Sequence, residues 1–135
     1  MKFHHIGIAT KDLKSSLEFV QKNFEVLEVS EEIFDENQNA TLQMIKTKDL
    51  NIELVSGKVV EKLIASKITY YHICYEVEDI YGKIEEFQKN GGAMLVSSVK
   101  PAILFDNRLV VFLMTPLGLV ELLNANWDNK QYKYG

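Results

Sequence analysis

Apolar positions along the chain follow two periods, and the switch from one to the other occurs twice in the same order. Phe3 to Ala9 and Tyr71 to Val77 are rich in β-branched and aromatic residues, the composition of strands. The period then lengthens. Leu13, Leu17 and Val20, and later Ile80, Ile84 and Phe87, recur three or four residues apart, which predicts a one-faced helix in each place. Asp12 and Asp79 stand where N-cap carboxylates belong, accepting from the first backbone N–H groups. Asn23-Phe24 and Asn90-Gly91-Gly92 end these helices, and Gly91 suits a left-handed cap. Short strands follow, over 25–30, 40–46 and 51–55 and then over 94–98, 109–114 and 119–123, with Thr115-Pro116-Leu117-Gly118 as a hairpin turn. Residues 57–66 read as a partly helical connector.

The recurrence is an internal repeat. Residues 5–23 and 72–90, aligned without gaps at an offset of 67, are identical at seven of nineteen positions, among them His5/His72, Asp12/Asp79 and Gln21-Lys22-Asn23/Gln88-Lys89-Asn90. Each copy runs on to an apolar-Glu-Leu strand, Ile52-Glu53-Leu54 and Val120-Glu121-Leu122, at an offset of 68. The expected fold is therefore α+β. Two βαβββ modules, about 1–57 and 68–126, are joined by a connector at 58–67 and followed by a tail at 127–135, all within one domain, 1–135. A lone βαβββ half covers one sheet face with its helix and leaves the other bare, so the two halves should share a curved mixed sheet whose concave face takes a ligand.

Composition narrows the function classes. With 135 residues, 47% apolar and 25% charged, the chain is large enough for a core and too apolar for disorder. A net charge of −4 repels phosphate backbones, so no nucleic-acid partner is expected. The one cysteine, Cys74, cannot form an internal disulfide, and no apolar run is long enough to span a bilayer. A cytoplasmic protein with no membrane partner is the expectation.

Strand alternation decides which side chains reach the concave face. If Ile6 and Ile8 meet the first helix, His5 points the other way. If Ile73, Tyr75 and Val77 meet the second, then His72, Cys74 and Glu76 point away. Glu53 and Glu121 likewise oppose their apolar neighbours. Two imidazoles and two carboxylates thus come from equivalent positions of two modules. A mixed N/O set with a charge of −2 suits a divalent ion and leaves positions open for substrate. His4 has Tyr71 as its repeat counterpart and shares the parity of Ile6, so it reads as structural or surface. Cys74 shares the face of His72 and reads as a small wall residue.

On HHIGIATKDL, IELV, YHICYEVEDI and VVFLMTPLGLVELL the chain resembles the vicinal oxygen chelate superfamily, which includes glyoxalase I, methylmalonyl-CoA epimerase and extradiol dioxygenases. The resemblance implies a divalent metal (Ni, Co, Zn or Mn) held by His5, Glu53, His72 and Glu121. It implies a glyoxalase-I-like lyase that isomerises a methylglyoxal–thiol hemithioacetal through an enediolate, with Glu121 as base and Glu53 returning the proton. Methylmalonyl-CoA epimerase is the alternative. An extradiol-type dioxygenase or a non-catalytic binding module lies further off. A small-molecule substrate and a homodimer are expected. Glutathione-type glyoxalases hold the thiol's carboxylates with arginines, and the single Arg108, with Cys74 beside the cup, is the substrate-binding candidate.

Overall fold

The computed structural model describes residues 1–125, so the expected tail at 127–135 and the end of the second module lie outside the described residues. In chain order the elements are β1 (Lys2–Ala9), α1 (Leu13–Asn23), β2 (Val26–Val29), β3 (Ile33–Asp35), β4 (Ala40–Thr47), β5 (Asn51–Ser56), α2 (Glu61–Ala65), β6 (Tyr70–Val77), α3 (Ile80–Asn90), β7 (Met94–Leu95), β8 (Lys100–Ala102), β9 (Arg108–Thr115) and β10 (Gly118–Asn124). The fold class is α+β with mixed strand pairing, as expected. The chain divides into two compact units, one of residues His5–Tyr71 and one of Met1–His4 with the chain from His72 onward. The first four residues thus belong with the second unit.

In the first unit the strand path is β2-β4-β5-β1, with β3 added on β4. β1 and β5 run parallel, pairing Gly7 with Glu53, and β4 is antiparallel to β5. Leu13 and Val20 of α1 pack on Ile45, Ile52 and Leu54, joined by Ile6, Ile8 and Leu17. Each such side chain removed from water stabilises the unit by about 1.5–3 kcal/mol. This contact puts the isoleucines of β1 under the helix, as the alternation requires.

The second unit repeats the plan with the path β6-β10-β9-β7 and β8 on β9. β6 and β10 are parallel, pairing Glu121 with Cys74. Ile80 and Ile84 of α3 pack with Val77, Val111, Leu113, Val120 and Leu122, and Ile73, Tyr75 and Phe87 join them. The expected helix-facing set on β6 is therefore the one observed.

Three differences from the sequence reading have physical causes. Each module has an extra three-residue strand, β3 or β8, too short to show a period. β8 contains Pro101, which cannot donate to a ladder and is tolerated at a margin. The expected 94–98 strand is only Met94–Leu95, continued by one bond from Val96 N to Phe112 O at 2.9 Å. Asp79 sits at the N-cap position with extended backbone but makes no cap hydrogen bond, whereas Asp12 accepts from Lys14 N at 3.1 Å. Gly91 does end α3 at a positive φ (+82°), but its ψ of 165° lies in the extended region that glycine alone reaches and not in the left-handed helical cap expected. The Thr115–Gly118 turn forms as read, closed by a bond from Thr115 Oγ1 to Gly118 O at 2.9 Å. The connector forms a short 3₁₀ turn over Lys58–Val60 and then α2.

Candidate metal centre

Each module buries one histidine–glutamate pair. In the first, His5 of β1 and Glu53 of β5 sit on neighbouring parallel strands, opposite the face that Ile6, Ile8, Ile52 and Leu54 give to α1. His5 Nε2 lies 3.7 Å from Glu53 Oε1. In the second, His72 of β6 and Glu121 of β10 repeat the arrangement, with Nε2 3.3 Å from Oε1. All four side chains are 0–1% exposed. The ring of Phe112 meets His72 edge-on, with centroids 5.3 Å apart, and braces it from β9.

The donor chemistry fits a divalent ion. Two ligand atoms about 2.1 Å from one ion are about 3.0–3.4 Å apart for right-angle to tetrahedral geometry. The separation in the second pair falls in that range and that in the first lies just beyond it, while both exceed the usual N–H···O hydrogen-bond length. A carboxylate this far out of water is costly unless a positive charge meets it. Two Nε2 atoms facing two carboxylate oxygens supply that reason for a cation.

The other sequence candidates are placed as follows. Cys74 is buried and lies across the ladder from Glu121. His4 is buried with its ring edge-on to Phe105 at 5.3 Å, a structural position. Arg108 is buried at the start of β9. Its Nη1 donates to Glu76 Oε2 at 3.1 Å and to Asn124 O at 3.4 Å, and its Nε to Phe105 O at 3.3 Å. To hold a substrate anion it would have to exchange that carboxylate partner. Sequence reasoning put Glu76 on the correct face but missed it as the partner of Arg108. It also missed Asn124, whose Oδ1 accepts from Ile80 N at 3.0 Å. A signal for the ion pair existed: Glu76 and Arg108 each replace an alanine of the first module.

Two parallel-paired modules of this topology, each with a buried His–Glu pair on the face opposite its helix, define a duplicated α+β fold with candidate metal ligands in each copy. The family model described as the Glyoxalase/Bleomycin resistance protein/Dioxygenase superfamily matches residues 4–112, and the chain belongs to that superfamily. Its members are mostly enzymes that act on small molecules, and the superfamily binds divalent metals. A comparison with curated protein sequences returned no match. Among solved structures, the methylmalonyl-CoA epimerase of Mycobacterium tuberculosis is similar at a TM-score of 0.79 and 17% identity, over 94% of this chain and 89% of that one. The hypothetical protein BH1468 of Bacillus halodurans is similar at 0.74 and 22%, over 96% and 98%. A variant of the Streptomyces coelicolor methylmalonyl-CoA epimerase in complex with 2-nitronate-propionyl-CoA is similar at 0.70 and 20%, over 93% and 97%. At such identities these likenesses establish the fold.

Proposed function

We propose that this chain is a metal-dependent enzyme that moves a proton at a carbon beside a carbonyl. In this reading His5, Glu53, His72 and Glu121 together hold one divalent ion, and each is buried within its own module. The observation that carries this reading is the duplicated His–Glu pair, buried in each module and set at separations close to those of two ligands on one ion. When bound, the ion supplies Lewis-acid charge for a developing oxyanion.

The chain's own residues then do the proton work. Glu121 takes the proton from carbon as general base. Glu53, its repeat counterpart, enters protonated and gives its own proton to the opposite side of that carbon. One turnover leaves the proton on Glu121 in place of Glu53, and exchange with solvent or turnover in the reverse direction resets the pair.

Two reactions of this class fit the sequence. Epimerisation of a 2-substituted acyl-CoA such as methylmalonyl-CoA comes first; the pairing of the single arginine with Glu76 bears alike on the carboxylates of either substrate. The similarity of two solved methylmalonyl-CoA epimerases supports this. The second reading is the glyoxalase-I-like lyase, acting on a methylglyoxal–thiol hemithioacetal. It keeps its place because two buried carboxylates at equivalent positions serve that proton shift equally. In either reading the enzyme works as a cytoplasmic homodimer.

The experiment is a metal-reconstituted assay run in parallel on one epimer of methylmalonyl-CoA and on methylglyoxal plus glutathione. Metal-dependent inversion of the first is expected. Metal-dependent thioester formation from the second, without inversion, would replace the epimerase by the lyase. Silence on both, with metal bound, would overturn both substrate assignments.

A further inference from the structure

The repeat exposes one corner where the modules differ in charge. Position 9 in β1 corresponds to 76 in β6, and position 40 at the start of β4 corresponds to 108 at the start of β9. The first module places Ala9 and Ala40 there, both buried. The second places Glu76 and Arg108, an ion pair at 3.1 Å with side chains 14% and 4% exposed. A buried ion pair adds little stability over an apolar pair of good fit, and the first module shows that the frame accepts small apolar residues. Stability alone does not account for it.

The reach of Arg108 supplies a reason. Its guanidinium binds Glu76 on β6 and the carbonyl of Asn124 on β10, and it also binds the carbonyl of Phe105, whose ring centroid lies 5.9 Å away. Asn124 in turn caps the first N–H of α3. His72 lies four residues before Glu76 on the same face of β6, and Glu121 lies three residues before Asn124 on β10. These two strands are parallel, and a parallel ladder has slanted bonds that hold slightly less per residue. A slide along the strands would change the distance from His72 to Glu121.

We propose that Arg108, together with Glu76, is a positioning residue for the His72–Glu121 pair. The clamp locks β10 against β6 and sets the separation of the two donor atoms. It rests on the reading of His72 and Glu121 as metal ligands. The corresponding pair in the first module, with alanines at that corner, is the wider one, 3.7 Å against 3.3 Å.

The test installs the first module's own residues, Glu76→Ala with Arg108→Ala, beside Arg108→Lys. Folding is read by circular dichroism, metal binding by visible absorption in a Co²⁺ titration, and the site itself by the His72 imidazole resonances of the metal-free protein. The double variant is expected to fold, to bind Co²⁺ about 10-fold more weakly with an altered visible band, and to show broadened or split His72 resonances. Arg108→Lys keeps the charge but loses the fork, so it recovers only part of the affinity. A folded double variant with wild-type affinity, band and resonances overturns the clamp. If the double variant does not fold, Arg108→Lys decides: wild-type behaviour in both readouts overturns the clamp, and a partial loss upholds it. If the wild type itself takes no Co²⁺, the metal-ligand reading fails. The His72 resonances then judge the clamp alone, and no change in them on substitution of Arg108 overturns it.

Discussion

The two modules use one backbone plan and secure it by different means. In both, a parallel pair of strands carries the histidine and glutamate, and a helix covers the opposite face. In the first module the supports are local: Asp12 caps its own helix, and the corner at positions 9 and 40 is closed by alanines. In the second they are distant in sequence: Asn124 caps α3 from 44 residues away, and Arg108 joins three segments. The shared part is what the proposed metal site requires. The unshared part is where the second module carries the proposed clamp.

The largest effect should come from asking whether the two carboxylates are equivalent in chemistry. Glu121→Gln is expected to lower turnover by about 10²–10⁴-fold, the range for losing a general base, while weakening metal binding far less. Glu53→Gln should stop inversion as well, yet leave exchange of the α-proton of one epimer with solvent deuterium. Mass spectrometry of the recovered thioester distinguishes the two. Near-normal turnover in Glu121→Gln would remove it as the base, and identical exchange in both variants would make the modules chemically interchangeable.

Metal stoichiometry tests whether the two pairs act together. One ion per chain is expected by elemental analysis, and His5→Ala and His72→Ala should each abolish tight binding of that same ion. Two ions per chain would mean two separate half-sites. With free metal at 100 times its dissociation constant, binding should stabilise the fold by about 2.7 kcal/mol. Urea unfolding with and without a chelator reads that difference, which should vanish in either histidine variant.

The site was legible because the repeat doubled every weak signal. His5 or Glu53 alone on a strand says little, but each has a counterpart at a constant offset, and alternation against Ile6, Ile8, Ile52 and Leu54 fixes the face. What escaped was whatever depends on contacts between distant segments. β3 and β8 exist only because β4 and β9 offer them an edge. The missing cap bond of Asp79 cannot be read from an Asp in the right place. Its carboxylate lies where Gly82 leaves room, so that a Cβ at Gly82 would come 2.7 Å from Asp79 Oδ2. Arg108 stands out in the sequence as the sole arginine, but its carboxylate partner lies 32 residues earlier, where alternation fixes only a face.

The helix caps give a smaller contrast between the modules. Asp12→Ala should cost about 1 kcal/mol, the usual value for a lost N-cap bond. Asp79→Ala at the equivalent position should cost less than about 0.5 kcal/mol, in the range of an ordinary surface change. Asn124→Ala should cost about 1 kcal/mol, because it leaves the first N–H of α3 without that acceptor. Equal losses at Asp12 and Asp79 in denaturant unfolding would contradict the asymmetry.

The smallest effect lies on the outer helix faces. On α3, Lys83 Nζ donates to Glu86 Oε2 at 2.8 Å, whereas the counterparts on α1 are Ser16, bonded to Thr10 at 2.6 Å, and the exposed Phe19. The hydrogen bond from Lys83, and then its charge, hold the Glu86 carboxyl below its ordinary pKa. A lowered folded-state value favours the carboxylate. Its contribution is therefore present above the unfolded-state pKa and is lost as pH falls through the folded-state value. Because the pair is exposed and screened, the change belongs in a titration curve and not in a melting curve. Lys83→Met should raise the NMR titration midpoint of the Glu86 side-chain carboxyl toward an unperturbed glutamate, and 1 M salt should move the wild type the same way. A midpoint unmoved by both would mean that the two side chains do not pair in solution, and that the outer faces of α1 and α3 differ in composition alone.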